Sequence, residues 1–330
     1  MVKPPPRLVA PAPGAPLAWV IRGTMVESVH AGHLVALDAD DDVVLALGDP
    51  EQEIYPRSAI KPVQAVAMLR AGLDVTDEQL ALVCASHYGE PRHLDVAASI
   101  LARAGLTEAD LGNPASLPWR EETAHAWIAA GTPPSRLAHN CSGKHAGMLA
   151  TSRAAGWPND TYLDPEHPLQ QAIAAGIADL TGVDPAHVAV DGCGAPQFST
   201  TVSGLARAFA RIASAPAGPE ARVRDAMAGH PWLVGGTGRD ATEAMTAVPG
   251  LIAKDGADGV YAAALPDGRA LAFKVSDGGG RARAAILAAA LRVLGVEGAW
   301  AWARVPVLGG GAPAGSVRPA FGADVPPGLG

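Results

Sequence analysis

The sequence is short of cysteine and of long apolar runs, and both shortages narrow the classes of protein it can belong to. Its three cysteines are an odd number with no dense spacing pattern, which fits a reducing cytosol better than a disulfide-linked secreted fold. No apolar stretch approaches the length of a membrane-spanning helix. We therefore expect a soluble protein of the cytoplasm.

Positive charge is also scarce. The chain has 25 Lys and Arg against 33 Asp and Glu, a formal net charge of −8, and its basic residues are scattered. This distribution argues against nucleic acid and against an anionic membrane surface as partners. Residues 1–16 are rich in proline and alanine and lack the apolar core of a signal peptide. We expect a flexible tail there and a single domain over residues 17–330.

The order of apolar patterns along the chain predicts the architecture. Apolar residues make up 48% of the sequence, which is enough for a large core. Alternating patterns predict strands near both ends of the domain, and helical periodicity predicts a middle rich in helices. One antiparallel sheet would then take strands from both ends, with helices packed around it, in an α/β (α+β) fold. The predicted strands cover residues 17–21, 33–37, 43–47, 260–265 and 270–276, and the last helix covers residues 280–294.

Ser58 and Lys61 form a Ser-x-x-Lys pair at the start of a helical pattern. Residues three apart share a helix face, so the Lys61 amine can reach the Ser58 hydroxyl. A serine hydroxyl becomes a good nucleophile when a neighbouring base takes its proton, and a lysine with a lowered pKa can be that base. The pair taken alone also fits a helix cap followed by a solvated lysine.

Four further clusters of polar and soft residues accompany this pair. They lie at residues 84–90 (CASHYGE), 139–145 (HNCSGKH), 191–196 (DGCGAP) and 253–256 (AKDG). Together these segments resemble the asparaginase II family of the rhizobial type, which is distinct from the periplasmic asparaginases used as drugs and from the Ntn-type enzymes. The resemblance runs from about Arg22 to about Leu294.

The resemblance implies the fold of serine β-lactamases, penicillin-binding proteins and glutaminases. In that fold the nucleophilic serine starts a helix after the first strands, and a Lys-[ST]-Gly element lies beside the sheet late in the chain. Ser58 matches the first element. Lys254-Asp255-Gly256 matches the position of the second, with aspartate in place of the usual hydroxyl residue. That departure leaves the role of Asp255 open.

The resemblance also implies two serine–lysine pairs, Ser58 with Lys61 and Ser86 with Lys254. Ser86 would lie between the two amines and relay protons. Because two ammonium groups close together repel, one of them is more easily neutral at pH 7 and can act as the base. An acyl-enzyme on Ser58 would form and then be hydrolysed. Without the resemblance, Ser86 fits a helix-end serine bonded to backbone, and Lys254 fits a surface lysine beside a turn.

Amide hydrolysis also requires an oxyanion hole and groups that recognise the substrate. The backbone N–H groups of Ser58 and of a strand after Lys254 are candidates for the oxyanion hole. Arg239 lies in a glycine-rich loop and can bind a carboxylate with two parallel hydrogen bonds, although a surface arginine fits that loop as well. The resemblance puts Asp191 close by. We therefore predict that Asp191 and Arg239 bind substrate.

By the resemblance, Cys141, Lys144 and Cys193 bind zinc near the serine–lysine pairs. Thiolates suit zinc, whereas lysine is a rare ligand because it must first lose its proton. Spacing alone favours buried apolar cysteines, and His139 and His145 are the conventional alternative ligands. Three protein ligands and a water would form an open site. We expect such a zinc ion to bind or orient substrate and not to be strictly required for the chemical step.

The resulting hypothesis is an L-asparaginase that converts L-asparagine to L-aspartate and ammonia through a seryl ester. We expect a homodimer that acts on this small molecule, with Cys84 in its core. A glutaminase or a β-lactam-reactive hydrolase of the same fold also fits the Ser-x-x-Lys pair, but it leaves the predicted zinc ligands unexplained. A non-catalytic relative that binds amino acids would be expected to lack one of the four serine and lysine residues, and all four are present.

Overall fold

The computed structural model describes residues 10–298 and 300–324 of the chain. Of the tail expected over residues 1–16, residues 1–9 lie outside this range. Residues 15 and 16 already belong to the first strand, because they pair with Gly32 and Ala31 of the second. Residues 325–330, at the end of the expected domain, also lie outside the described residues.

Strands come first, helices fill the middle of the chain and strands return near its end. Within the described ranges, no helix is both long and apolar enough to cross a membrane. The strands are β1 (Ala15–Arg22), β2 (Met25–Leu37), β3 (Val43–Leu47), β4 (Glu53–Ile54), β5 (Val188–Val190), β6 (Pro196–Phe198), β7 (Thr200–Thr201), β8 (Ile252–Asp255), β9 (Val260–Ala264), β10 (Ala270–Val275), β11 (Val305–Gly309) and β12 (Ala312–Pro319). The helices are α1 (Lys61–Arg70), α2 (Asp77–Val83), α3 (Pro91–Arg103), α4 (Glu121–Ala129), α5 (Ser142–Ala155), α6 (Pro168–Thr181), α7 (Val202–Ser214), α8 (Gly218–Gly229), α9 (Pro231–Val234), α10 (Asp240–Ala247) and α11 (Arg283–Val293).

The main sheet takes strands from both ends of the chain. Its order is β11-β12-β1-β2-β10-β9-β8, and β3 pairs with the second half of β2. All of these pairs are antiparallel. The predicted α/β architecture, with one antiparallel sheet built from both chain ends and packed with helices, is therefore confirmed.

Strands β11 and β12 have no counterpart in the sequence prediction. β12 pairs with β1 and places Val317 opposite Val20, so its strand conformation depends on a partner from the other end of the chain. The turn between β11 and β12 contains Gly310 and Gly311, whose φ angles are 58° and 81°. Because the pairing is non-local and the segment is rich in glycine, local periodicity carries little sign of these strands.

The core lies on both faces of the central strands. Every residue of β9 is buried, and successive side chains of a strand point to opposite faces, so both faces of the sheet are covered there. Helix α7 packs against β2, β9 and β10. Helix α1 packs against α5, α6 and α8, and its residues 61–68 are all buried. The segment just before α1 is thus attached to the rigid centre of the molecule.

Candidate active site

Ser58 lies in a short 3₁₀ turn, Arg57–Ile60, that passes directly into α1 at Lys61. Arg57 has a φ of 50°, in the left-handed region that non-glycine residues rarely adopt. Ala59 and Ile60 are buried and anchor the turn, while Ser58 lines a cavity. The α-helix thus begins three residues later than the Ser58 start that the sequence pattern predicts.

The end of β8 approaches this turn closely, and Gly256 permits the approach. A Cβ atom at residue 256 would lie 2.7 Å from Pro56 O and 3.2 Å from Ala59 N, so a larger residue would push the two segments apart. The Lys254-Asp255-Gly256 element therefore lies at the end of β8, next to the turn that carries Ser58.

Lys61 is almost fully buried and points toward the end of α2. Its Nζ donates to Ser86 Oγ (3.1 Å), to Cys141 Sγ (3.2 Å) and, in a short hydrogen bond, to Ala85 O. Among the hydrogen bonds of the described residues, none joins Lys61 to Ser58. The sequence pairs the Lys61 amine with Ser58, whereas in the structure this amine is hydrogen-bonded to Ser86.

Lys254 is fully buried and is not a surface lysine beside a turn. Its Nζ donates to the backbone O (2.6 Å) and the Oδ1 (2.9 Å) of Asp255, and not to Ser86, within the part of the chain that the structure describes. Burial lowers the pKa of Lys254 to about 8; Asp255 opposes this shift, and the charges of Arg239 and Lys61 add to it. A lysine in this state loses its proton close to neutral pH.

Ser86 lies in an extended segment after α2, and its Oγ is bonded to a lysine. The neighbouring backbone is fixed by Ser86 N–H to Val234 O (3.0 Å) and by His87 N–H to Asn140 O (3.2 Å). Ser86 lines the same cavity as Ser58. The alternative of a helix-end serine bonded only to backbone does not describe this hydroxyl, which accepts from Lys61 Nζ.

The predicted zinc ligands lie together next to the serine–lysine residues. Cys141 precedes α5, Lys144 lies in its first turn, and Cys193 lies in the β5–β6 turn. Lys144 Nζ donates to Cys193 Sγ (3.1 Å), and Cys193 Sγ donates to Asp191 Oδ2 (3.4 Å). Since Cys141 also accepts from Lys61, the cluster is continuous with the serine–lysine residues.

The pKa values of the Cys141 thiol and the Lys144 amine shift in opposite directions within this cluster. The neighbouring Cys193 thiol, with help from Lys61 and Lys144, outweighs burial and holds the pKa of Cys141 well below its usual value. Burial acts to lower the pKa of Lys144, but Cys193, Cys141 and Asp191 outweigh it and raise that pKa. The cluster is thus a thiolate–ammonium arrangement, and two sulfurs with one amine form a soft donor set that fits zinc once the amine loses its proton.

The two histidines that are the alternative metal ligands lie in the same region, and each has one ring nitrogen in a hydrogen bond. His139 Nδ1 accepts from Cys141 N–H (3.1 Å). Tyr162 Oη accepts from Gly112 N–H (2.8 Å) and shares a hydrogen bond with His145 Nδ1 (2.7 Å). Burial lowers the pKa of both histidines to about 4, so both rings are neutral. Among the described residues, no three histidine, cysteine, aspartate or glutamate side chains form a group that could hold a metal.

Arg239 is buried in a charged network and is not a surface arginine of a glycine loop. Its Nη2 donates to Asp255 Oδ2 (2.5 Å), which also accepts from Arg283 Nη1 (3.0 Å). Burial opposes ionisation of Asp255, but Arg239, Lys254 and Arg283 outweigh it and hold the pKa of Asp255 well below its usual value. The aspartate in place of a hydroxyl residue therefore serves as the shared counter-charge of three cations.

Asp191 is tied to the residue that precedes Ser58. Arg57 Nε donates to Asp191 Oδ1 (2.8 Å), and Arg57 Nη1 makes a short contact with Asp258 Oδ2. Burial opposes ionisation of Asp191, but Lys144 and Arg57 outweigh it and lower the pKa of this carboxyl. Asp191 is therefore a carboxylate that faces the cavity, which suits an amine of a substrate.

One cavity of about 400 Å³ brings these groups together. Of the residues predicted from the sequence, Ser58, Ser86, Asp191, Arg239, Cys141 and Cys193 line it, and the three lysines lie behind them. The sequence reasoning missed Arg57, Tyr88, Trp119 and Arg283 as lining residues. Arg57 directly precedes the Ser-x-x-Lys pair and Tyr88 lies within the segment 84–90, so their positions in the sequence could have indicated them. No local pattern marks Trp119 or Arg283.

The structure thus places a cavity lined by two serines, with buried lysines behind it, on an antiparallel sheet packed with helices. The family model described as L-asparaginase II matches residues 18–319. The chain therefore belongs to the L-asparaginase II family, which is a family of amidohydrolases, and the resemblance seen in the sequence is confirmed. No curated protein matches the sequence.

Several solved structures are similar to this chain at low identity. A protein described as a beta-lactamase from Bacteroides dorei DSM 17855 is 16% identical over 76% of this chain and 86% of its own, with a TM-score of 0.42. EstCE1, a hydrolase with promiscuous acyltransferase activity, is 13% identical over 74% of this chain and 88% of its own, with a TM-score of 0.38. Mglu in its tris and glutamate form is 18% identical over 87% of this chain and 65% of its own, with a TM-score of 0.34. These scores are too low to support further comparison.

Proposed function

We propose that the protein is an L-asparaginase that releases ammonia from L-asparagine through a seryl acyl-enzyme. Family membership supports an amidohydrolase. The observation that carries the proposal is that Ser58 and Ser86 line one cavity in front of two buried lysines, one of which has a pKa of about 8. Such a site supplies a nucleophile and a base without any histidine.

The surroundings of the two lysines favour Lys254 as the base. Lys61 Nζ has three acceptors, which match the three N–H donors of an ammonium. Lys254 has only the backbone and carboxylate oxygens of Asp255, and burial lowers its pKa to about 8. Lys61 then orients Ser86 through its hydrogen bond, and Lys254 acts as the group that takes up and returns a proton.

The reaction proceeds in two stages. Ser58 Oγ attacks the side-chain amide carbon of asparagine and Lys254 Nζ takes up its proton; the amine must first turn from Asp255 toward the serine, because it makes no hydrogen bond to Ser58 or Ser86 among the described residues. The C–N bond then breaks, the proton returns to the leaving nitrogen and ammonia departs, which leaves an aspartyl ester on Ser58. Water, deprotonated along the same path, attacks the ester and releases aspartate and the Ser58 hydroxyl.

Backbone and side-chain groups at the cavity supply recognition. The Gly256 N–H donates to Val260 O (2.8 Å) and is already engaged. The N–H groups of Ser58 and Ala257, both cavity-lining residues, are therefore our candidates for the oxyanion hole. We assign the substrate α-amine to Asp191 and the α-carboxylate to Arg239, whose Nε–H is unpaired among the described residues.

We further propose that Cys141, Lys144 and Cys193 hold a zinc ion. The two sulfurs and the amine lie within one buried hydrogen-bonded cluster at the cavity wall, which supports this donor set. When bound, the ion would supply a Lewis-acidic position that orients substrate directly or through water. Without the ion, Lys144 keeps its proton and forms an ion pair with the neighbouring thiolate.

The experiment that tests the function is ammonia release from L-asparagine and L-glutamine by wild type, Ser58→Ala and Ser86→Ala. We expect turnover of asparagine by wild type, background release by Ser58→Ala and a reduced rate for Ser86→Ala. Mass spectrometry of acid-quenched enzyme should find the aspartyl adduct on the peptide that contains Ser58. An adduct on Ser86, or near wild-type release by Ser58→Ala, would contradict the assignment of the nucleophile.

The same assay separates the remaining alternatives. Faster release from glutamine than from asparagine would favour a glutaminase, and acylation by a β-lactam without amide turnover would favour a β-lactam-reactive hydrolase. Binding of amino acids without any turnover would favour a non-catalytic relative. A cytoplasmic location is supported by three free, buried cysteines. The expected homodimer is tested by light scattering of the purified protein.

A further inference from the structure

Trp119 is an exposed aromatic residue at the mouth of the cavity. The residue is 53% exposed, although tryptophan is usually well covered in folded proteins. Its ring lies 5.8 Å from Arg239 Cζ, and the Tyr88 ring lies 5.0 Å from the same atom. The guanidinium that we assign to the substrate carboxylate thus lies against two aromatic rings, one of which is half open to solvent.

The position of Trp119 is fixed by the segment that carries Ser86. The backbone N–H groups of Trp119 and Arg120 both donate to Tyr88 O (2.8 and 3.0 Å), and Arg120 Nη1 donates to Thr237 O (3.1 Å). Helix α4, which follows directly, contributes no buried residue. Trp119 therefore does not anchor α4 in the core. The hydrogen bond to Tyr88 O holds the backbone of Trp119 beside the cavity.

A carboxylate on Arg239 would be covered by this indole. Arg239 already has the buried partner Asp255, so a substrate carboxylate must approach from the cavity, where Trp119 lies. An aromatic face next to the guanidinium attracts the cation and excludes water. Exclusion of water strengthens an ion pair, because the effective dielectric constant falls. The exposed indole is thus apolar surface available for a ligand bound on Arg239.

We propose that Trp119 is a specificity-determining residue, whose indole closes over the substrate α-carboxylate on Arg239 and so selects amides that carry this group. This inference rests on the proposed assignment of the carboxylate to Arg239. It predicts that the contribution of Trp119 depends on the carboxylate and disappears for an amide without it. β-Alaninamide is L-asparagine without its α-carboxylate and is the matching probe.

The experiment compares L-asparagine with β-alaninamide in wild type, Trp119→Ala, Trp119→Phe and Trp127→Ala. Trp127 lies on α4 and is not a cavity-lining residue, which makes it the matched control. We expect Trp119→Ala to raise KM for asparagine about tenfold with little change in kcat, as loss of a cation–π contact and its shielding would. Kinetics with β-alaninamide should change less than twofold, Trp119→Phe should recover most of the loss, and Trp127→Ala should match wild type.

Binding measurements cover the case in which β-alaninamide is not turned over. Calorimetric affinities of both amides for Ser58→Ala, with and without Trp119→Ala, then give the same comparison. An equal loss for both amides would overturn the inference, because it would indicate a structural role for Trp119. Arg239→Lys separates the role of Trp119 from the assignment of the carboxylate to Arg239. If Arg239→Lys weakens the binding of asparagine alone and Trp119→Ala does not, only the role of Trp119 is overturned. A loss in Trp119→Ala without one in Arg239→Lys would instead overturn the carboxylate assignment.

Discussion

Lys144 and Lys254 are two buried lysines whose pKa values shift in opposite directions. Lys144 lies behind the cavity-lining Cys193, and Lys254 lies behind the cavity-lining Asp255. We call these two sides of the cavity the Lys144 wall and the Lys254 wall. Burial lowers the pKa of Lys254 to about 8, although a carboxylate lies 2.9 Å from its amine. Burial acts on Lys144 as well, but its pKa is raised. The difference lies in the neighbours: Asp255 is shared with two arginines, whereas two cysteine thiols and Asp191 all stabilise the charge of Lys144.

The comparison shows that competition for counter-charge, more than burial itself, decides what a buried amine can do. An amine whose carboxylate is shared with other cations loses its proton easily and suits general-base chemistry. An amine beside a thiolate and a carboxylate keeps its proton until a metal displaces it. Under the proposed function, the Lys254 wall would carry out proton transfer and the Lys144 wall would position the substrate.

The largest expected effect is on kcat, and it should distinguish Lys254 from Lys144 when each lysine is replaced. Lys254→Met should lower kcat by about 10²–10⁴, the usual range for loss of a general base, while Asp255 keeps Arg239 and Arg283 as partners and the fold persists. Lys144→Met is the matched control of equal burial and should mainly raise KM. Steady-state ammonia release, with circular dichroism to check folding, measures both. Similar losses of kcat in the two variants would break the comparison.

The next effect is the pH dependence of kcat/KM. Because a lysine acts as a base only when neutral, activity should rise about tenfold per pH unit below the pKa of Lys254 and level off above about pH 8. Lys144→Met should keep the same midpoint, since Lys144 is not among the charges that shift the pKa of Lys254. A flat profile between pH 6 and 9, with chemistry rate-limiting, would count against a lysine base.

The sequence predicts the sheet from both chain ends because the alternating patterns at residues 17–47 and 260–276 are strong and local. It does not predict β11 and β12, whose conformation depends on pairing with β1. The same limit applies to the site. Motifs locate Ser58, Lys61 and the cysteines, but a motif holds no information on which acceptor a long side chain will reach.

Two contacts of the site illustrate this limit. Lys61 reaches Ser86, 25 residues away, and not the serine one turn before it. Arg283 reaches Asp255 from the start of α11, across 28 residues of sequence. Both contacts follow from the packing of α1, α2 and α11 around the sheet, so only the folded chain defines them. Arg57 likewise combines a left-handed backbone with ion pairs to residues that are distant in the sequence.

A smaller effect concerns the metal on the Lys144 wall. Removal of zinc by a chelator, or Cys193→Ser, should raise KM about tenfold and leave kcat nearly unchanged, because a binding interaction common to ground and transition states is lost. Elemental analysis of freshly purified protein gives the zinc content. Absence of metal together with normal kinetics in strong chelator would sink the zinc proposal. A collapse of kcat at constant KM would keep the metal but assign it to the chemical step.

The smallest effect on activity is expected at Cys84. Its pKa and that of Cys141 shift in opposite directions, as those of the two lysines do. Burial raises the pKa of Cys84 to about 12, although Lys254 and Lys61 partly oppose the shift. Cys141 is buried as deeply, yet the neighbouring Cys193 thiol and two lysines lower its pKa. Cys84 is therefore an inert, protonated thiol of the core, and Cys141 is a thiolate of the site.

Cys84→Ser should accordingly change stability and leave catalysis intact. A serine hydroxyl loses more hydration than a thiol on burial, so the free energy of unfolding should fall by about 1–3 kcal/mol. Urea denaturation measures this loss, and Cys84→Ala is the matched control that buries no polar atom. KM, kcat, the kinetic pH midpoint and the zinc content should all match wild type. A shifted midpoint would contradict the assignment, because it would mean that the Cys84 thiol, in addition to burial, Asp255, Arg239 and Lys61, sets the proton affinity of Lys254.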